Sequence, residues 1–315
     1  MAFEDDLGIA PSQSIAHDYA GSASELVTRT ISLWYRNLIQ YIIIVGIIGA
    51  TLVGGSFLLL SVMFDLFGTL STDPISYMIS LFLDPISDFT LVTVSMGFAI
   101  FAFVLNAIIA GAAIKFTLDE YGEKRGDIGT SFSHSIGRVL NVIVVQLILS
   151  AFIAIVLTPF TILAFRALEM IDLSDPLNPI IPPQSIELLM SALGILIIGG
   201  IFLIYLQVRF TPTLAIVIDS DLSAFDSLKR SWELTSGNFF HVFGGLILLI
   251  LATFVLGLIV SVVLAFTFLP ESYTALIQSL ISALLFGSLN YIFATVLYRD
   301  LDSRKGISDF PEYVL

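Results

Sequence analysis

The chain has no cysteine, which excludes disulfides, thiolate metal sites and cysteine nucleophiles and leaves its redox compartment open. Basic residues are also scarce: 13 Lys and Arg stand against 26 Asp and Glu, a net charge of −13, and that excludes a nucleic-acid-binding surface. Only 12% of the residues are charged and 57% are hydrophobic, a balance foreign to a soluble domain of 315 residues. The patterns that mark zinc hydrolases, serine nucleophile elbows and Walker phosphate loops do not occur. At the start, Glu4, Asp5 and Asp6 stand where a cleaved signal would carry bases before a short apolar core, so insertion is expected to use the first true span.

What is present is a set of six apolar stretches, at roughly 38–63, 90–114, 139–165, 188–217, 239–268 and 275–298, each longer than the ~20 residues needed to cross a hydrocarbon core. Twelve of the 13 bases fall in the N-terminal region, the second and fourth connections and the C-terminal tail, with Arg166 the exception. By the positive-inside rule the chain is expected to be a multi-pass protein of the cell membrane with both termini cytoplasmic. The three outer connections hold nine acids, from Asp65 to Glu271.

An internal repeat organises the chain. Ser22-Ala23-Ser24-Glu25, Arg29-Thr30, Leu33 and Asn37 recur in register 201 residues later as Ser223-Ala224-Phe225-Asp226, Arg230-Ser231, Leu234 and Asn238. Both openings have the form of a capping box, in which a hydroxyl and an acid three residues on satisfy free amides of a helix. A degenerate middle copy runs from Asp127 through His134-Ser135 to Asn141, and Lys115, Arg209 and Arg299 mark the ends of the even spans. The expected fold is all-α: six transmembrane helices as three hairpin repeats, each preceded by a short interfacial amphipathic helix. The units are 22–121, 122–221 and 222–305, between cytoplasmic tails 1–21 and 306–315.

Before the fifth span, Leu222, Phe225, Leu228 and Trp232 recur at helical spacing, with Lys229, Arg230 and Glu233 on the other side and Gly237 as C-cap. Such a helix suits the inner headgroup layer, its apolar side dipped into lipid and its bases near anionic phosphates, although it also suits a connector packed on the span ends. The lipid-headgroup candidates are Arg29, Arg36, Lys124, Arg125, Arg138, Lys229, Arg230 and Trp232. The expected partners are anionic lipids of the inner face and a further membrane protein.

Residues 222–240, Leu-Ser-Ala-Phe-Asp-Ser-Leu-Lys-Arg-Ser-Trp-Glu-Leu-Thr-Ser-Gly-Asn-Phe-Phe, preceded by a span ending in Arg209-Phe210-Thr211-Pro212, carry a resemblance. This last third is similar to the helical membrane domain attached to some glycerophosphodiester phosphodiesterases and to related stand-alone membrane proteins. The resemblance implies a fold and a lipid setting. It implies no activity, because the His-Arg-Gly segment and barrel domain of those enzymes are missing.

Asn106 and Asn290 each lie nine residues before a span-end base, roughly 13 Å from the interface and near mid-membrane. They could line an axis or hold helices together, as could Gln146 and Gln207. Small residues at spacing four, Ser279/Ala283/Gly287, Ala107/Gly111 and Gly257/Ser261, favour close helix contact. Thr158-Pro159 and Thr211-Pro212 are expected to bend or end helices. Two Asp-Pro-Ile-Ser segments at Asp73 and Asp84 read as helix starts, without the ligand order of a calcium loop. His134 and His241 sit near the inner interface, and Asp119, Glu120 and Asp302 have no nucleophile beside them in the sequence. We therefore expect no catalytic residue, no metal and no cofactor. The function expected is that of a non-enzymatic, lipid-associated or scaffolding membrane module; the alternative is a small-solute or lipid transporter with a polar midplane site.

Overall fold

Ser22 opens the first helix by accepting from the Glu25 amide at 3.2 Å while the Glu25 carboxylate accepts from the Ser22 amide at 2.6 Å, a reciprocal cap that contributes about 1 kcal/mol. The computed structural model describes residues 19–70, 89–122, 124–171, 182–267 and 271–308. Among them the chain is helical without strands. Helix α1 (Ala23–Arg36) stops at Asn37, and the chain continues as α2 (Leu38–Tyr41), a π-helical turn (Ile42–Gly46) and α3 (Ile47–Leu70). Then come α4 (Phe89–Tyr121), α5 (Ile128–Glu169), α6 (Pro183–Phe210), α7 (Thr213–Asp219), α8 (Ala224–Thr235), α9 (Phe239–Ala265), α10 (Glu271–Phe286) and α11 (Leu289–Ser308).

The two capping sequences differ in execution. At α8 the Ser223 hydroxyl accepts from the Asp226 amide at 3.2 Å, but Asp226 Oδ2 takes the Ser223 hydroxyl at 2.6 Å and makes no bond to the Ser223 amide. Asp is one methylene shorter than Glu25, so the box is complete only at α1. Gly237, with φ of 84°, supplies the left-handed residue that separates α8 from α9. No such residue divides the middle unit: Asn141 lies inside one helix running from Ile128 to Glu169. The separate interfacial helix expected before the third span is therefore the continuous first turns of that span. Pro159 sits within α5, whereas Pro212 lies between α6 and α7, where its missing amide interrupts the ladder.

Among the described residues, six stretches are long and apolar enough to cross a membrane: Leu38–Leu59, Thr93–Tyr121, Ile128–Glu169, Pro183–Asp219, Phe239–Ala265 and Tyr273–Lys305. They are compatible with a multi-pass membrane protein. The second and sixth bury much of their length, while the fourth and fifth bury little, leaving side chains such as Ile198, Ile250 and Phe254 exposed. Hydrocarbon, not water, is the solvent suited to so continuous an apolar surface.

Neighbours in space are not simply neighbours in sequence. The first span lies against the sixth more than against the second, and the second lies against the third. Small residues explain the first pairing: a Cβ on Gly46 would fall on the Leu284 carbonyl oxygen, and one on Gly49 would lie 3.9 Å from the Ala283 Cβ. Ala283 and Gly287 thus belong to a close helix contact, as does Gly111, which faces the Ser135 hydroxyl. Gly257 faces open space, while Ser261 accepts a hydrogen bond from Gln278 at 2.8 Å. The apolar core, including Leu26, Tyr41, Phe116, Ile218, Leu234, Phe293 and Leu297, gathers where α1, α7 and α8 meet the span ends.

Candidate functional site

Polar residues converge at that same end and form a collar around the core. Its buried acid is Asp300, with no exposed side-chain surface. One carboxylate oxygen accepts from the Gly21 amide at 2.7 Å; the other accepts from His241 Nε2–H at 2.9 Å and Arg304 Nε–H at 2.8 Å. Arg304 also donates to the Gly21 carbonyl oxygen. The chain preceding α1 is thereby held to α9 and α11 at one point. Such a network suits a buried carboxylate because its lone pairs are occupied and a cation lies beside it.

The other side of the collar is built around the end of α7. Asp219 accepts from the Tyr298 hydroxyl at 2.9 Å and from Arg299 at 3.1 Å. His134 donates from Nε2 to the Ile218 carbonyl at 2.9 Å, and Arg138 pairs with Asp221. The interrupted end of α6 is satisfied from α8, where Ser231 donates its hydroxyl to the Arg209 carbonyl at 2.7 Å; open carbonyls at helix ends require such partners. Between α1, α2 and α4, Arg29 donates to the Tyr19 carbonyl at 2.8 Å and the Tyr121 hydroxyl at 3.0 Å, and the Tyr41 and Thr117 hydroxyls bond at 2.8 Å.

A family model described as a domain of unknown function, DUF7847, matches residues 129–301. The chain belongs to the DUF7847 family. No curated protein and no solved structure matches it. The DUF7847 match includes most of the collar, from His134 and Arg138 through Asp219 and His241 to Asp300.

The collar separates the headgroup candidates of this DUF7847 chain into two groups. Arg29, Arg138 and Arg230 face inward to partners; Arg230 meets Asp302 at 3.0 Å. Arg36, Lys124, Arg125 and Lys229 are exposed and have no ion-pair partner among the described residues. Trp232 is 40% exposed, and Phe225, at 71%, is more so. Leu228, from the same apolar stripe, is buried in the protein, so α8 divides its apolar side between fold and surroundings. Its protein-facing side is built largely of small and hydroxyl residues, Ala224, Ser227, Ser231 and Thr235.

The acids considered for chemistry have structural partners: Asp119 binds Lys115 at 2.7 Å, Glu120 accepts from the Gly126 amide at 2.7 Å and Asp302 holds Arg230. The two histidines bond inward. Asn106 and Asn290 are both exposed. Asn106 accepts from the Tyr291 hydroxyl at 3.1 Å, which links the second span to the residue next to Asn290. Gln146 Oε1 is buried without a hydrogen-bond partner, and Gln207 is exposed. The Asp-Pro-Ile-Ser segments lie outside the described residues. Asp219, Asp221 and Asp300 are not singled out by the sequence because all three sit beside apolar runs and depend on partners from distant segments, with Arg304, a partner of Asp300, the one local exception. Their position just past the even spans, together with unpaired bases in the repeats, is the signal that could have found them.

Proposed function

We propose that this protein is a non-enzymatic, lipid-associated membrane module whose collar lies at the cytoplasmic face of the cell membrane, with both termini inside. One observation carries the reading: the collar uses some of its bases to hold itself together and leaves Arg36, Lys124, Arg125 and Lys229 exposed. Exposed apolar side chains, Tyr35, Ile39, Phe225 and Phe240, stand near them in the chain. Bases beside apolar groups suit the boundary between anionic headgroups and acyl chains. The use of Asp119, Glu120 and Asp302 in structural contacts favours a role without catalysis.

The three-unit arrangement is part of this proposal. Trp34 of the first unit donates to the Leu285 carbonyl in the third, Ser135 of the second to Ile108 in the first, and Ser231 of the third to Arg209 in the second. These bonds have a cyclic order that supports a closed ring of units. The likeness of residues 222–240 to the phosphodiesterase-associated membrane domain fits the same lipid setting, and the matched DUF7847 family does not itself make that link.

The test is native mass spectrometry of the whole chain released from membranes containing phosphatidylglycerol and phosphatidylcholine. The parent is expected to retain phosphatidylglycerol preferentially. Replacing Arg36, Lys124, Arg125 and Lys229 together by alanine should reduce that preference about tenfold, in keeping with ~1 kcal/mol per base near an anionic surface and partial screening. Equal retention of the two lipids by the parent would defeat the reading. A transport function has one observation in its favour, the exposed Asn106 bonded to Tyr291 beside Asn290; loss of liposome flux in Asn106→Leu at unchanged thermal stability would favour it.

A further inference from the structure

Arg209, at the end of α6, was not among the headgroup candidates, yet its surroundings differ from those of the other collar cations. Its guanidinium carbon lies 4.7 Å from the Trp232 ring centroid, 5.3 Å from Tyr205 and 5.8 Å from Phe239. The rings also contact one another: Tyr205 stacks on Phe239 at 5.6 Å and meets Trp232 edge-on at 5.8 Å. Three helices, α6, α8 and α9, thus contribute to one aromatic box.

An aromatic face attracts the flat face of a guanidinium but leaves the N–H groups on its edge unsatisfied. Nε–H reaches the Tyr205 hydroxyl at 3.3 Å, a long bond. Nη1 is buried without a hydrogen-bond partner. Lys115 has Asp119, Arg299 has Asp219, and Arg138, Arg230 and Arg304 each have a carboxylate; Arg209 has none among the described residues. Four residues on, where Lys115 finds Asp119, Arg209 has Thr213. Arginine does not shed its proton to escape this position, so the charge calls for an anion from outside the fold.

We propose that Arg209 and its aromatic box bind the phosphodiester of an anionic membrane lipid. The ligand chemistry is a phosphate oxygen facing the part-exposed guanidinium, and the source is a lipid rather than free phosphate because apolar side chains beside the box are exposed: Trp232 is 40% exposed, and Phe240, which packs on Phe239, is 82% exposed. Lys229, one helical turn before Trp232, is exposed as well and supplies a second positive charge. Phe239 begins α9, whose N-cap residue Asn238 makes no side-chain cap bond, so first-turn amides remain for headgroup oxygens. This inference rests on the lipid-associated reading and narrows it to one site.

The whole chain in neutral detergent, with Trp34→Phe so that Trp232 is the sole indole, gives a direct readout. Brominated-chain phosphatidylglycerol, brominated-chain phosphatidylcholine and inorganic phosphate are the three probes. Brominated phosphatidylglycerol should quench Trp232 at lower concentration than brominated phosphatidylcholine, and inorganic phosphate should neither alter emission nor relieve the quenching. Arg209→Gln should raise the half-quenching concentration of phosphatidylglycerol about tenfold, the loss of roughly one charge-assisted hydrogen bond. Arg209→Lys, which keeps the charge without the planar edge, should fall between. Identical quenching of the parent by both lipids overturns the site whether or not the variants fold, and so does relief by inorganic phosphate. An unchanged Arg209→Gln curve also overturns it, but if replacement of Arg36, Lys124, Arg125 and Lys229 still reduces the preference for phosphatidylglycerol about tenfold, the broader lipid reading stands.

Discussion

Asp300 shows how a single side chain can hold distant parts of this protein together. Its carboxylate receives the Gly21 amide, His241 and Arg304, so Asp300→Asn turns an amide N–H2 toward groups that are themselves donors. Removing one member of a buried ionic network costs about 3 kcal/mol or more, and the melting temperature in detergent should fall by roughly 5–10 °C. Lys229→Ala, on an exposed side chain, should shift it by less than about 2 °C. An unchanged melting temperature for Asp300→Asn would show that the node is incidental. The base in Tyr298-Arg299-Asp300 is legible in the sequence as the end of a span; the acid next to it is not, because of its three partners only Arg304 is local and the other two, His241 and Gly21, lie 59 and 279 residues away. The same limit applies to Arg209, whose repeat position is visible but whose aromatic box requires α6, α8 and α9 to meet.

Local signals foretell helix boundaries better than they foretell faces. Ser22, Asp127 and Ser223 do cap helices, and Pro212 and Gly237 do separate them. The side of α8 that meets the protein is another matter: Ser227 and Ser231 are buried while Phe225 is exposed, since membrane lipid takes large apolar groups as readily as a core does. Hydrophobic periodicity therefore cannot divide fold from bilayer. The small-residue stripes are more informative, because close approach is a steric requirement. At Gly46, in the π-helical turn, any Cβ would fall on the Leu284 carbonyl oxygen, and the Leu284 Cα would stand 3.1 Å away. Gly46→Leu should therefore push the first span from the sixth and cost about 2 kcal/mol or more by overpacking, measured as a lowered midpoint of thermal unfolding. Gly257→Leu, where nothing among the described residues stands within 4 Å, should leave the midpoint near that of the parent. Equal effects at the two sites would contradict the assigned contact.

For the molecule as a whole, the charge map and the fold agree on a division into a polar end and an apolar body. The paired bases Arg138, Arg230, Arg299 and Arg304 and the core both gather at the collar. Six spans are legible in composition alone, because length and hydropathy need no tertiary information. The pairing of the spans is less so: the first span's preference for the sixth comes from glycine-to-backbone fit between segments at opposite ends of the sequence. The absence of cysteine gives a clean background for fixing the orientation on which the lipid reading depends. The measurement is labelling of single cysteines at Arg36, Lys124, Lys229 and Arg166 in intact cells and inverted vesicles with a membrane-impermeant maleimide. Cysteines at 36, 124 and 229 should react only when the cytoplasmic face is open, and the cysteine at 166 only from outside. Labelling of 124 and 229 from opposite faces would contradict the common collar and remove the basis for its contact with inner-leaflet lipid.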